Sequence, residues 1–339
     1  MQSLDVAAFE TPLMRVGKII EWRLFEPEVM GSVEREVKGP GGRPRFDPLL
    51  MFKVLVLQRL HDLSDDATSF QITDRHSFRA FLGLTAADAV PDGQTIADFR
   101  EVLVGNQSFE RLFHLFLDHL QKRHGLGLGK EGVMIDATFV EVPRQRNNRD
   151  QNAQIKAGEV PREFAGNPKV GAHKDCDARW TKKNHETFYG YKDHVKVDVA
   201  DKLILGGVTT PANVHDSQPV QGLIKEGDRV VYADSAYSSA KIASELADRQ
   251  VEAQICEQGT RTAALTQEQR DSNREKSRVR SRVEHVFAQM TGSMRALRQR
   301  CIGMKRNDAC IKLTNLVYNM LRFEQIKRLA IRYTRPVAA

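Results

Sequence analysis

Apolar residues recur at helical spacing through the first third of the chain, then give way at Gly132 to an apolar, β-branched run. Asp47 as an N-cap and Pro48 at the first helical position open a buried helix predicted over about 48–62. Shorter patterns predict helices over 65–73, 74–81 and, after the turn Pro91-Asp92-Gly93, 95–103. Short helices with tight links suit a helix-turn-helix-like module and equally any small helical bundle. Phe109, Leu112, Phe113, Leu115, Phe116 and Leu120 mark one more amphipathic helix over 107–123.

Beyond Gly132, residues 133–142 read as a β-strand with one carboxylate, Asp136, inside it. Residues 143–187 are polar, basic and rich in Asn, Gly and Lys, with no periodicity; they predict a long irregular insertion. Strands over 189–199 and 203–210 form a predicted hairpin, followed by a helix over 217–225. A short buried strand, 229–233, ends at Asp234. A helix (239–249), a strand (251–255), a long helix (266–290) and a last amphipathic helix (309–329) complete the pattern. Three consecutive strands and then alternating helices and strands describe an α/β sheet of mixed pairing, the element order of a ribonuclease-H-like domain. The expected organisation is an N-terminal all-α, DNA-binding domain over 1–125 and a ribonuclease-H-like domain with flanking helices over 126–339.

The 339 residues are 41% hydrophobic and 28% charged, which excludes a disordered, collagen-like or coiled-coil chain. The most apolar window, 49–60, is interrupted by Lys53, so no membrane span is predicted. The N-terminus has neither a basic region before an apolar core nor a cleavage site, which predicts no signal peptide. Four cysteines form no CxxC pair, and no His/Cys cluster has zinc spacing, so reduced thiols in a cytosolic protein are expected. The net charge is +7, and residues 272–306 carry ten Lys or Arg against Glu275 and Glu284. A basic stripe of this density is the footprint of a polyanionic partner, or else a solvated helix face.

Three acids stand out against this pattern. Asp136 lies among residues bound for a core, where a carboxylate is costly unless paired or metal-bound; the alternative is a strand residue facing solvent. Asp234 ends an apolar strand at the edge where α/β sheets place ligands, or simply caps a turn. Glu284 borders the buried stripe Val279, Val283, Val286, Phe287 and Met290, one turn after Arg280, and could be an ordinary ion pair. Asp216 reads as the N-cap of the helix that follows it. His194 and His285 read as structural histidines.

The segments VMIDATFVEV, DARWTKKNHETFYGYKDHVKVD, TTPANVHDSQ, VVYADSAY and SRVEHVFAQM resemble the DDE transposases of bacterial insertion sequences. The nearest group is the one whose prototype is insertion sequence five. GRPRFDPLLMFKVLVLQRLHDLSDD, VPDGQTIADFR and IGMKRNDACIKLTNLVYNMLRF extend the resemblance to about residues 14–328. It implies a catalytic, metal-binding triad of Asp136, Asp234 and Glu284, two Mg²⁺ ions for which Mn²⁺ substitutes, and Arg280 as the arginine one turn before the glutamate. Ser277 and Thr291 stand where relatives often carry tyrosine and lysine. The implied activity is hydrolysis of phosphodiesters at element ends, freeing 3′-OH groups that are joined to target DNA. Expected partners are double-stranded DNA (element ends and target) and at least a second copy of the chain, in the bacterial cytoplasm on the nucleoid.

Expected DNA contacts are Arg278, Arg280, Arg282, Arg295 and Arg298 of the basic stripe. Arg179, Trp180, Lys182, Lys183 and Lys192 of the insertion and the following strand would serve frayed or flipped ends, and Arg43 and Arg45 an extended minor-groove arm. The alternatives are a non-catalytic DNA-binding relative and a metal-dependent nuclease without strand transfer. A tyrosine recombinase would need an Arg/His array around Tyr318 or Tyr333, and the sequence provides none.

Overall fold

The computed structural model describes residues 11–33, 45–183, 185–259 and 263–330. It divides into two units, Met1–His119 with Leu316–Ala339, and Leu120–Asn315. Among the described residues no helix is long and apolar enough to cross a membrane.

The first unit is helical: α1 (Pro12–Ile19), α2 (Glu26–Val33), α3 (Pro48–Leu60), α4 (Asp65–Asp74), α5 (His76–Leu82), α6 (Gly93–Gly105) and most of α7 (Ser108–His124). Asp47 caps α3 as expected, its Oδ1 accepting from Leu50 N at 2.7 Å, and Pro48 occupies the first turn. The core is aromatic: Phe25 and Phe52 lie 5.0 Å apart, and Trp22 meets Phe81 edge-on at 5.5 Å. Arg100 of α6 grips Asp65 at the start of α4 through both terminal nitrogens, 2.5 and 2.9 Å.

The second unit is a mixed α/β structure built on a six-stranded sheet. Its strands are β1 (Val133–Glu141), β2 (Arg179–Lys183), β3 (Glu186–Asp198), β4 (Ile204–Pro211), β5 (Val230–Ala233) and β6 (Glu252–Ile255). The order is β2-β3-β1-β5-β6, with β4 also on β3. The β1–β3, β2–β3 and β3–β4 pairs are antiparallel; β1–β5 and β5–β6 are parallel. β1 pairs with β3 across the whole insertion, consecutive strands β2, β3 and β4 pair antiparallel, and β5 and β6, linked by a helix, run parallel.

β1 and β5 approach closely at Gly132. The residue has φ +104°, and a Cβ there would meet the Val230 carbonyl oxygen at 3.0 Å. A glycine is therefore required for both backbone angle and space.

Several elements differ from expectation. The 143–187 segment is not structureless: α8 (Arg149–Lys156), α9 (Arg162–Ala165), α10 (Pro168–Gly171) and β2 lie within it. A capping box of Asn148 and Gln151 starts α8. Buried Asp175 gathers the segment by accepting from Tyr191 Oη, Ala178 N and Gly303 N. The helix expected over 217–225 shrinks to α11 (Val220–Leu223), so Asp216 caps nothing. After α12 (Ala240–Asp248), the expected long helix breaks at Ser281 into α13 (Gln267–Arg280) and α14 (Arg282–Thr291). The chain then returns to β1, where Glu141 N donates to Leu297 O and Gln299 N to Glu141 O. The last helix, α15 (Met304–Leu329), starts five residues earlier than its pattern suggests and places Ile311 on a cluster of Val140, Val142, Ala178, Tyr189 and Tyr191.

Candidate active site

Parallel pairing sets Val133 opposite Val231 and Met134 opposite Tyr232. Asp136 and Asp234 each follow the second of these pairs by two residues, and the Asp234 charge acts on the Asp136 carboxyl. The paired strands stop at Ala233, so both acids stand where the sheet opens. Asp234 turns the chain out of β5: its Oδ1 accepts from Ala236 N at 2.9 Å and caps the 3-10 turn Ser235–Tyr237.

Asp136 is nearly buried, its side chain 13% exposed. Its Oδ1 accepts from Ala137 N at 2.8 Å and its Oδ2 from Arg280 Nη1 at 2.9 Å. Burial pushes its carboxyl up to about 6; the Asp234 charge adds to that, while the Ala137 amide, Arg280 and Lys183 oppose it. The other terminal nitrogen of Arg280 donates to Glu284 Oε1 at 3.2 Å. One guanidinium thus holds Asp136 and Glu284 on adjacent nitrogens, joining a strand to a helix 144 residues further along the chain. Glu284 itself is 62% exposed. The three carboxylates do not all come within 4.8 Å of one another: Arg280 stands between two of them.

The donor set suits a hard divalent cation, since it offers carboxylate oxygens and neither thiolate nor imidazole. A partly desolvated Asp136 whose compensating charge is a cationic side chain seated between two acids fits the same reading.

The expected DNA contacts fall into three groups. Arg278, Arg295, Arg298, Lys182 and Lys183 are exposed. Trp180 is 47% exposed and carries the Arg144 guanidinium over its ring at 5.6 Å; Arg144 also lines a cleft with Arg298, Arg300 and Glu141. Arg45 is exposed and donates to the Val33 carbonyl at 3.4 Å, whereas Arg43 lies outside the described residues.

The second group points inward. Lys192 is buried, its ammonium on Asp216 Oδ1 at 2.7 Å and the Val214 carbonyl at 2.8 Å. Arg179 donates to the carbonyls of Cys176, Ala178 and Ile155. The third group is tied to the site region: Arg280 to the two acids, and Arg282 through a 3.3 Å bond to the Val199 carbonyl. Of the histidines, His285 is exposed and His194 is buried against Thr210 Oγ1 at 2.8 Å, its ring held neutral as burial drives its pKa down to about 4.

Three side chains of this region escape the sequence pattern. Arg144 is hidden in an aperiodic stretch, and the part played by Asp216 follows from a strand partner 24 residues away. Tyr237 carries one signal, an aromatic in the short polar turn directly after a strand-end acid.

A family model described as Transposase DDE domain matches residues 127–320, and one described as Transposase domain (DUF772) matches residues 5–102. Among solved structures, the chain is similar to one described as the cryo-EM structure of the piggyBac transposase synaptic complex with hairpin DNA. That similarity spans 96% of this chain and 78% of the other at 12% identity, with a TM-score of 0.45.

Proposed function

The chain belongs to the Transposase DDE domain family, and on that premise we propose that it is an insertion-sequence transposase of the group whose prototype is insertion sequence five. In this reading the 126–339 region is a ribonuclease-H-like catalytic domain and the 1–125 region binds DNA. The protein cuts phosphodiesters at element ends, frees 3′-OH groups and joins them to target DNA. The observation that supports the reading is the Arg280 guanidinium bridging Asp136 and Glu284, with the Asp234 charge acting on Asp136.

Asp136, Asp234 and Glu284 would hold two Mg²⁺ ions, with Mn²⁺ able to substitute. When bound, such a pair activates the attacking oxygen and neutralises charge on the leaving one. The chain's own groups do the rest. β1 and the capped turn after β5 hold Asp136 and Asp234, and Arg280 orients Glu284 toward Asp136. Exposed Arg278, Arg295 and Arg298 take backbone phosphates, contacts that position DNA without reading sequence. Trp180, flanked by Arg144, Lys182 and Lys183, offers a stacking face for an unpaired base beside phosphate-binding charge. Arg43 and Arg45 would serve the minor groove. Water attacks the end phosphodiester; the freed hydroxyl then attacks target DNA in line, with no covalent protein–DNA bond. Cutting two ends together calls for at least a dimer on DNA, in the bacterial cytoplasm at the nucleoid.

The test incubates the protein with DNA carrying the ends of the element that encodes it, with Mg²⁺ and a target plasmid. Wild type should release 3′-OH ends and join them, while Asp136→Ala, Asp234→Ala and Glu284→Ala still bind the ends and leave them uncut. Cutting without joining of pre-cut ends would reduce the protein to a nuclease. Binding with no cutting by wild type would make it a non-catalytic relative.

A further inference from the structure

Tyr237 closes the 3-10 turn that Asp234 caps, and its side chain is 1% exposed. Its hydroxyl has no hydrogen-bond partner. Buried hydroxyls are nearly always matched, so this one calls for a partner beyond the protein contacts present, a water or a rearranged neighbour.

The surroundings narrow the choice of partner to three carboxylates. Asp136, Asp216 and Asp234 all act electrostatically on the Tyr237 hydroxyl, Asp136 most strongly of the three, with Arg280 acting in the opposite sense. Asp216 is committed to Lys192 at 2.7 Å, and one oxygen each of Asp136 and Asp234 to a backbone amide, Ala137 N at 2.8 Å and Ala236 N at 2.9 Å. Asp136 differs: the partner of its Oδ2 is Arg280, a side-chain cation in the place a metal ion would claim.

We propose that Tyr237 is a positioning residue for the cation site. When a divalent cation replaces Arg280 at Asp136, the Tyr237 hydroxyl donates to the Asp136 carboxylate and holds it in its ligating orientation. The proposal rests on the assignment of Asp136 as a metal ligand. Tyr237→Phe keeps the ring that fills this space and removes only the hydroxyl, the group that carries the role.

The experiment titrates the full-length chain with Mn²⁺, following free Mn²⁺ by electron paramagnetic resonance, and records thermal unfolding with and without Mg²⁺. Tyr237→Phe should melt, without metal, at or above the wild-type temperature, because it removes an unmatched polar atom. Its Mn²⁺ dissociation constant should rise roughly ten- to hundred-fold, the usual effect of losing a group that orients a metal ligand, and its Mg²⁺-induced rise in melting temperature should shrink. Unchanged Mn²⁺ affinity would overturn the proposal. So would a drop in metal-free melting temperature large enough to account for weaker binding, since the hydroxyl would then be structural. Asp136→Asn in the same titration separates the two levels. If it binds Mn²⁺ as wild type does, the triad assignment itself fails; if it loses binding while Tyr237→Phe does not, only the role of Tyr237 fails.

Discussion

Arg280 decides the resting state of the site. Its guanidinium compensates Asp136, whose side chain is almost out of water, and it tethers the more exposed Glu284. Arg280→Ala leaves the Asp136 charge without that partner. In EDTA at pH 8 the variant should lose about 1–3 kcal/mol of stability, measured by denaturant unfolding. The loss should shrink as pH falls from 8 toward about 6, where Asp136 takes up a proton and no longer needs the arginine. A second buried acid gives an independent pH dependence. Burial pushes Asp193 up to about 7, with the Asn315 amide opposing and the Asp308 charge assisting. Between the ordinary aspartate value near 4 and about 7, the native chain keeps a proton that the unfolded chain has released, so stability falls as pH rises through that window. Asp193→Asn removes the slope and still accepts from Asn315 Nδ2. Its melting temperature should exceed wild type by several degrees at pH 8 and match it near pH 4. Asp136 and Asp234 stood out as candidates because an acid inside or directly after an apolar run is costly unless paired, metal-bound or turned to solvent. The inward turn of Lys192 and Arg179 was not, since composition gives charge and residue type but not the direction in which a side chain points.

Elements set where those residues meet. The β1–β5 pair rests on Gly132, and Gly132→Ala should strain the backbone and push β1 off Val230. A cost of about 1–3 kcal/mol is expected, together with failure to cut even where the fold survives, measured by thermal unfolding beside the cleavage assay. Retained full activity would mean that β1–β5 spacing is not critical. The break at Ser281 has a local cause: Ser281 Oγ turns back onto the Arg278 carbonyl at 3.4 Å, and Glu284 N closes a tighter turn onto Ser281 O. Apolar periodicity reads straight through such a break because the buried stripe Val283, Val286 and Met290 keeps helical spacing on its far side. Most strands were legible from β-branched runs bounded by turns. The insertion was not, because its order comes from side chains bonding backbone, Asp175 above all, and from pairing of β2 with a strand it could not be matched to in isolation.

At the scale of the molecule, charge is the property most directly legible from residue types and the one they locate least well. The 272–306 stripe divides between exposed Arg278, Arg295 and Arg298 and the inward Arg280. Affinity for DNA should therefore fall linearly on a log–log plot of binding constant against salt. Replacing both Arg278 and Arg295 with alanine should reduce the slope by about two, roughly one for each phosphate no longer neutralised. Fluorescence anisotropy over a salt series reads this, and an unchanged slope would remove those arginines from the interface. The central claim needs a more direct measurement: anomalous diffraction from crystals of the full chain grown with Mn²⁺. Density peaks should lie within coordination distance of Asp136, Asp234 and Glu284, with the Arg280 guanidinium displaced from Asp136. Mn²⁺ bound elsewhere, with Arg280 still bridging Asp136 and Glu284, would contradict it.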